Sequence, residues 1–255
     1  MGELRRAVRA GEPAVGNWVS IADPAVAEVS AELGFDFVTV DVEHTTASLS
    51  GVESMARAVD AGGGHTETLV RLPENDPVWV KRVLDIGVGG VMVPMVDSAA
   101  EAEAFVESTR YPPEGVRGVA AGRAARYGLD FPESVETANE EHLTVAQIES
   151  EAGLADVEAI AAVDGLDALF VGPADLSAAL DAFAEWDGDA LADAIERVLE
   201  TDLPVGTLAL SGADIDRWIE AGFDFLIAGT DMGHVVEGSR SAMERARTAF
   251  EEREG

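Results

Sequence analysis

Short apolar runs alternate along this chain with stretches that carry a helical period. Val15–Ile21, Phe35–Val40, Thr68–Leu72, Gly90–Val93, Leu143–Ile148, Ala168–Val171, Val205–Leu208 and Phe225–Ala228 read as strands. Between and after them, helices are predicted at Pro24–Leu33, Leu49–Ala61, Pro77–Ile86, Ala99–Thr109, Gly153–Val163, Leu191–Glu200, Ala213–Ala221 and Gly233–Glu252. The punctuation agrees. Asp23, Asp76 and Ser98 stand where an N-cap side chain is needed, Pro77 opens its helix, and Gly34 follows the end of another. The glycine run Gly62-Gly63-Gly64 closes the helix that ends at Ala61.

The strand candidates are continuous apolar runs, as expected of parallel strands covered on both faces. Eight strand-plus-helix units without a linker in 255 residues predict one domain, residues 1–255, folded as a (β/α)8 barrel. An open doubly wound sheet would place a glycine fingerprint after the first strand, but Ser20-Ile21-Ala22-Asp23-Pro24 contains no glycine. The alternation is interrupted once, from Arg110 to Glu141, by an excursion rich in Gly, Pro and Arg; such insertions in compact domains are usually functional.

Composition narrows the partners. Asp and Glu number 49 against 17 Lys and Arg, a formal net charge of -32, so nucleic acid and anionic membrane surfaces are repelled. The acidic residues are spread along a chain with 47% hydrophobic residues, which reads as a folded core under an acidic coat suited to a salt-rich cytoplasm. Cysteine is absent, which removes disulfides and thiolate chemistry. The opening Met1–Pro13 is charged and has no apolar centre, so it is no signal peptide, and no run approaches the roughly 20 apolar residues of a membrane span. The expectation is a soluble cytoplasmic protein.

Barrel chemistry sits at the C-terminal ends of the strands. There the sequence places Asp41-Val42-Glu43-His44, Arg71, Gln147-Ile148-Glu149, Gly172-Pro173-Ala174-Asp175 and Thr230-Asp231. Glu149 and Asp175 leave adjacent strands towards one mouth. In a chain without cysteine such an oxygen pair suits a hard divalent cation, although a strand-end charge and a helix cap account for the same residues. His44 stands where a general base belongs, and a structural histidine is the competing reading. Arg71 is the cation at a strand end and can hold a carboxylate or an oxyanion. The chain's one lysine, Lys81, lies within the third predicted helix on the outer ring. That placement argues against a Schiff-base lysine or pyridoxal phosphate and leaves carbonyl chemistry to a metal.

These residues, in order, resemble the HpcH/HpaI aldolases, metal-dependent enzymes acting on 2-keto-3-deoxy acids. The resemblance rests on Asp41-Val42-Glu43-His44, Val70-Arg71, Val83–Gly87, Val93–Asp97, Thr109–Gly118, Gln147-Ile148-Glu149 and Gly172–Ser177, and spans nearly the whole chain. It implies that Glu149 and Asp175 ligate Mg²⁺, Mn²⁺ or Co²⁺. It implies further that Gly172, Pro173 and Ala174 line the pyruvate carboxylate pocket with Gln147 at its border, that Arg71 stabilises the enolate, and that His44 is the acid/base. The family pairs this histidine with an aspartate matching Asp85, which the barrel reading places away from its own mouth, so the aspartate would come from a neighbouring subunit. Asp41 belongs to the same catalytic cluster. The implied reaction is reversible cleavage of a 4-hydroxy-2-keto acid to pyruvate and an aldehyde, in a homo-oligomer up to a hexamer whose last helix packs on a neighbour.

Two segments depart from the family pattern, Val119–Gly128, which is shorter than usual, and Ala178–Phe183, which lacks the usual glycine-rich loop. Both are expected to border the aldehyde end of the substrate, so the aldehyde stays open. An acyl-CoA lyase of the citryl or malyl type would share the metal pair but need a basic patch for the CoA phosphates, from Arg110, Arg117, Arg123 and Arg126. A non-catalytic keto-acid-binding barrel would not need a base at all.

The charge makes one prediction independent of the reaction. Self-repulsion should weaken as the Debye length falls to about 3 Å in molar salt. The melting temperature should rise from dilute buffer to molar KCl, and an unchanged value would refute the salt-adapted reading.

Overall fold

The computed structural model describes residues 2–62 and 64–254; Gly63, in the predicted glycine run, lies outside the described residues. Eight parallel strands form a closed barrel in sequence order: β1 (Ala14–Val19), β2 (Phe37–Asp41), β3 (Glu67–Arg71), β4 (Gly90–Val93), β5 (Leu143–Ile148), β6 (Ala168–Val171), β7 (Val205–Ala209) and β8 (Phe225–Thr230), which pairs back with β1. Alternate side chains face two cores. Trp18, Phe37, Leu69, Met92, Phe170 and Phe225 fill the interior, while Val38, Val70, Val91, Ile148 and Val171 lie beneath the helices. Burial on both sides explains the unbroken apolar runs. Gly16 and Gly206 give room to interior rings, because a Cβ on either would come within 2.3 Å of Phe37 or 2.1 Å of Phe225.

The outer ring follows the pattern over α2 (Pro24–Glu32), α3 (Leu49–Ala61), α4 (Pro77–Leu84), α5 (Ala99–Thr109), α10 (Asp189–Leu199) and α11 (Gly212–Ala221). Asp23, Asp76 and Ser98 cap as expected. Three details differ. The helix expected over 153–163 is two short ones, α7 (Glu151–Ala155) and α8 (Val157–Ala161), divided at Asp156, whose carboxylate accepts the Ala99 amide. A short α9 (Pro173–Ala179) follows β6 directly. At the opposite end α1 (Glu3–Arg9) plugs the barrel: Leu4 and Val8 join the interior core, and Arg5 and Arg9 pair with the buried Asp167.

The excursion corrects an expectation. It contains α6 (Phe131–Thr137) between two 3₁₀ turns, and connects α5 to β5, so it lies at the N-terminal end of the strands, opposite its own mouth. Ala124 donates to the Asp85 carbonyl and Arg123 to the Ile86 carbonyl, fixing it beneath α4.

The last helix, α12 (Asp231–Glu254), does not close the ring. Its described side chains from Met232 to Arg253 are all exposed, including Val235, Val236, Met243 and Phe250. Val15 on the outer face of β1, Val29 and Leu33 on α2, and Ile219 on α11 are left uncovered. Only the start of α12 is anchored. The buried Asp231 carboxylate accepts the amides of Ser20, Ile21 and Met232, clamping the end of β8 to the end of β1.

Candidate active site

The mouth is built around one guanidinium. Asp41 and Arg71 end adjacent strands in register. Arg71 Nε donates to Asp41 Oδ1 at 2.9 Å, and Nη2 lies 2.9 Å from Oδ2, a bidentate fork. Nη1 lies 2.7 Å from Glu43 Oε2, outside hydrogen-bonding direction, and the guanidinium stacks 4.5 Å over the Trp18 ring. Asp41 also turns the following chain: its Oδ1 accepts the Glu43 amide at 3.0 Å, which brings Glu43 back over Arg71. Asp41 thus works through Arg71, holding it, with both oxygens engaged.

Beside this cluster stand the two carboxylates read from the strand ends. Glu149, 4% exposed, accepts the Met95 amide on Oε1 at 2.8 Å and Gln147 Nε2 on Oε2 at 3.1 Å. Met95 presents that amide from a left-handed backbone, φ 52°, a strained conformation for a side chain of this kind. Glu149 Oε2 and Asp175 Oδ2 converge: a Cβ on Gly172 would lie 2.9 and 3.8 Å from them, so the glycine leaves the space between open. Burial, with the charges of Asp175 and Glu43 added, pushes the Glu149 carboxyl up from 4.5 to about 7, against the Met95 N–H and Arg71. Burial raises Glu43 as well, against the pull of Arg71.

Buried like charge at an open point is the condition a divalent cation relieves, and the donors are the hard oxygens that Mg²⁺ or Mn²⁺ prefer. Among the described residues no three His, Asp or Glu side chains gather closely enough to enclose a metal. A cation here would rest on Glu149 and Asp175 and keep positions for other oxygens. Gln147 Oε1 is buried without a partner next to them.

The remaining candidates divide between the two ends. Gly172 offers no side-chain cap to α9, so the Ala174 N–H opens the helix behind Pro173 unclaimed by a side chain. His44 is at the rim, its side chain 70% exposed, with Nε2 3.9 Å from Glu43 Oε1. Asp85 ends α4 at the far end of the barrel, where Arg117 Nη2 donates to its Oδ1 at 2.9 Å. The single chain therefore does not bring Asp85 to His44. Lys81 packs near Gly118, away from the mouth. His142 is half-buried at the far end, held down at about 3 by desolvation and by Arg117, and stays neutral. A cavity of about 460 Å³ also lies there, lined by Tyr111, Arg117 and His142, and contains none of the mouth groups.

Strand-end reasoning missed two contributors, Trp18 and Met95, and one contact, that of Glu43. Trp18 is at an inward position near the end of β1, where a large ring reaches the mouth, and that alternation was the available signal. Glu43 was visible in its motif, but not its contact with Arg71. Met95 fell inside the Val93–Asp97 stretch, but nothing in the sequence marked its amide as a partner for Glu149.

Glu149 sets a pH dependence. Its folded value is raised, so the stability it contributes to metal-free protein is present below about pH 4.5 and lost as pH rises through about 7. In EDTA at pH 8, Glu149→Gln should raise the melting temperature above wild type by at least ~2 °C, and the difference should shrink at pH 5. The same variant should lose Mn²⁺ binding in calorimetry. A Glu149→Gln protein less stable than wild type at pH 8 would contradict the raised value.

The comparisons with known proteins agree with this geometry. Residues 14–238 match the family model described as HpcH/HpaI aldolase/citrate lyase. A 4-hydroxy-2-oxovalerate aldolase of Novosphingobium aromaticivorans is 37% identical, over 97% of this chain and 95% of its own length. A hydroxypyruvate/pyruvate aldolase of Roseovarius nubinhibens is 35% identical over 96% of each chain. The crystal structure of an HpcH/HpaI aldolase/citrate lyase family protein from Burkholderia cenocepacia superposes with a TM-score of 0.93 at 34% identity, over 97% of this chain and 100% of that one. With the barrel and its strand-end groups in place, the chain belongs to the HpcH/HpaI aldolase/citrate lyase family and is an enzyme of the aldolase type.

Proposed function

We propose that this enzyme reversibly cleaves a 4-hydroxy-2-keto acid to pyruvate and an aldehyde, with Glu149 and Asp175 holding a divalent cation. The observation that carries the reading is the convergence of Glu149 Oε2 and Asp175 Oδ2 on the open point at Gly172, beside the fixed fork of Arg71. A bound Mg²⁺, Mn²⁺ or Co²⁺ supplies Lewis-acid polarisation of the keto acid. The protein's own groups do the rest. The first turn of α9, with Gly172, Pro173 and Ala174, receives the pyruvate carboxylate at a helix N-terminus, and Gln147 borders it. Arg71, immobilised by Asp41, Glu43 and Trp18, meets the negative charge that develops on the keto oxygen as the bond breaks. His44 takes the 4-hydroxyl proton, directly or through water. Its exposure leaves room for Asp85 of a neighbouring copy to orient it.

The acyl-CoA alternative loses its basic patch. Arg117, Arg123 and Arg126 are engaged by Asp85, Asp60 and Asp130, and with Arg110, at the end of α5, they lie at the end opposite the mouth. Cleavage of a free keto acid needs no such patch. Among the described residues no helix is long and apolar enough to cross a membrane, which accords with the cytoplasmic placement we assign from charge.

We assign the uncovered face of α12 to a second copy of the chain, in a homo-oligomer up to a hexamer. Its Val235, Val236, Met243 and Phe250 match the apolar residues left bare on β1, α2 and α11. Light scattering in molar KCl should give an oligomer, and truncation before Met232 a smaller species; a full-length monomer overturns the assignment.

The mechanism separates two variants. EDTA should abolish pyruvate release, and Mn²⁺ or Mg²⁺ restore it. His44→Ala should lose roughly 10²–10⁴-fold in cleavage yet still bind Mn²⁺ and pyruvate. Arg71→Ala should lose both cleavage and exchange of the pyruvate methyl protons with deuterium, and Arg71→Lys should rescue little, because an ammonium lacks the planar fork. Wild-type methyl exchange in Arg71→Ala removes arginine from enolate stabilisation.

A further inference from the structure

We infer that Arg117 is a positioning residue for the carbon–carbon bond step: it presents the Asp85 carboxylate with which a second copy of the chain orients its His44. The inference deepens the aldolase reading above and rests on it, because Asp85 enters the reaction only by meeting the His44 of a neighbour.

The excursion between α5 and β5 takes no part in its own mouth, yet its contacts converge on one residue. Arg117 Nη2 donates to Asp85 Oδ1 at 2.9 Å. The Ala124 amide donates to the Asp85 carbonyl at 3.1 Å. Gly122 lies against the same carbonyl, where a Cβ would come within 3.2 Å of it. Arg123 adds a bond to the carbonyl of Ile86, the next residue along. Asp85 itself ends α4, and the chain turns away at Gly87 with φ 81°. The segment thus grips Asp85 by its backbone and by its carboxylate.

Arg117 is costly to bury. Its side chain is 1% exposed, its guanidinium stacks 4.6 Å over the Tyr111 ring, and Nε and Nη1 are buried without a partner among the described residues. The ion pair it does make is with a carboxylate that is 25% exposed. For stability alone, apolar side chains of similar volume would serve as well or better. Direction is what the pair supplies. Arg117 holds Oδ1 from within, and Oδ2 accepts no hydrogen bond among the described residues, which leaves it for a group from outside the chain.

His44 needs such a partner. It is 70% exposed, and the nearest carboxylate of its own chain, Glu43, stands 3.9 Å away. A carboxylate already fixed in direction orients an imidazole at a smaller entropic cost than a mobile one. The same argument gives the excursion a task that its distance from its own mouth had removed.

The test is a mutant cycle on the full-length protein loaded with Mn²⁺. Arg117→Met should lower kcat for cleavage by about 10–100-fold, the range found when a group that orients a site's ligands is removed. KM and Mn²⁺ affinity should stay near wild type. Decarboxylation of oxaloacetate leaves the same pyruvate enolate and has no hydroxyl proton to remove, so it should also continue near the wild-type rate. Arg117→Lys should recover part of kcat, because it keeps a cation behind Asp85 without the planar fork. Arg117→Met combined with Asp85→Asn should lose no more than Asp85→Asn alone, as expected of two residues that act as a unit. If Arg117→Met does not fold, the same cycle with Arg117→Lys decides. Losses that multiply in the double variant, or decarboxylation that falls in step with cleavage, make Arg117 a structural residue and overturn the inference. A slow Asp85→Asn beside an Arg117→Met of wild-type rate defeats the inference alone. Cleavage by Asp85→Asn at the wild-type rate defeats the reading beneath it, the partnership of Asp85 with His44.

Discussion

A positive charge that cannot move organises the mouth of this barrel. Arg71 has a register partner in Asp41, a ring beneath it and a carboxylate beside it. Its planar fork has no second arrangement that keeps those contacts, so its entropy is lost on folding and not on binding. The surrounding carboxylates are tolerated for the same reason. The four, Asp41 and Glu149 buried, Glu43 half-buried and Asp175 exposed, would repel one another apart unless something fixed held the centre. Burial first, and then the charges of Asp175 and Glu43, raise the Glu149 carboxyl against the Met95 N–H and Arg71. The site is short of positive charge, which is the condition that the cation proposed for Glu149 and Asp175 would relieve.

The barrel was legible because its pattern is redundant. β4, β5, β6, α3 and α5 coincide with the runs read from sequence, since apolar stretches bounded by Asp, Ser and Gly leave little freedom. Errors fall where tertiary contact overrides local signal. α1 is a single charged-looking heptamer that becomes a plug only when Asp167 receives Arg5 and Arg9. The helix expected through 153–163 breaks at Asp156 because that carboxylate serves the Ala99 amide across the ring. The excursion was placed near the wrong end although the rule for placing it was present: a segment that follows a helix returns to the strands' N-terminal end.

At the site, sequence gave residue identities and withheld their relations. Asp41, Arg71, Glu149 and Asp175 could be named from strand ends alone. That Asp41 grips Arg71, that Glu43 folds back over it, and that Met95 aims an amide at Glu149 are facts of register and backbone torsion. A pattern of one-dimensional spacing does not encode them. His44 shows the limit most plainly, because its own chain leaves it at the rim with Glu43 nearest.

The clamp at Asp231 has a consequence for how the molecule is made. Its carboxylate joins amides 211 residues upstream, at Ser20. At about 5–20 residues per second, a ribosome needs on the order of ten seconds or more to travel that distance. Through that interval β1 waits with one edge unpaired, and each newly finished strand exposes the next. The barrel cannot be completed piecemeal from its N-terminus, because its first strand is also the neighbour of its last. Late closure leaves strand edges exposed while the chain is made, which places the aggregation risk in synthesis, before the mature protein exists.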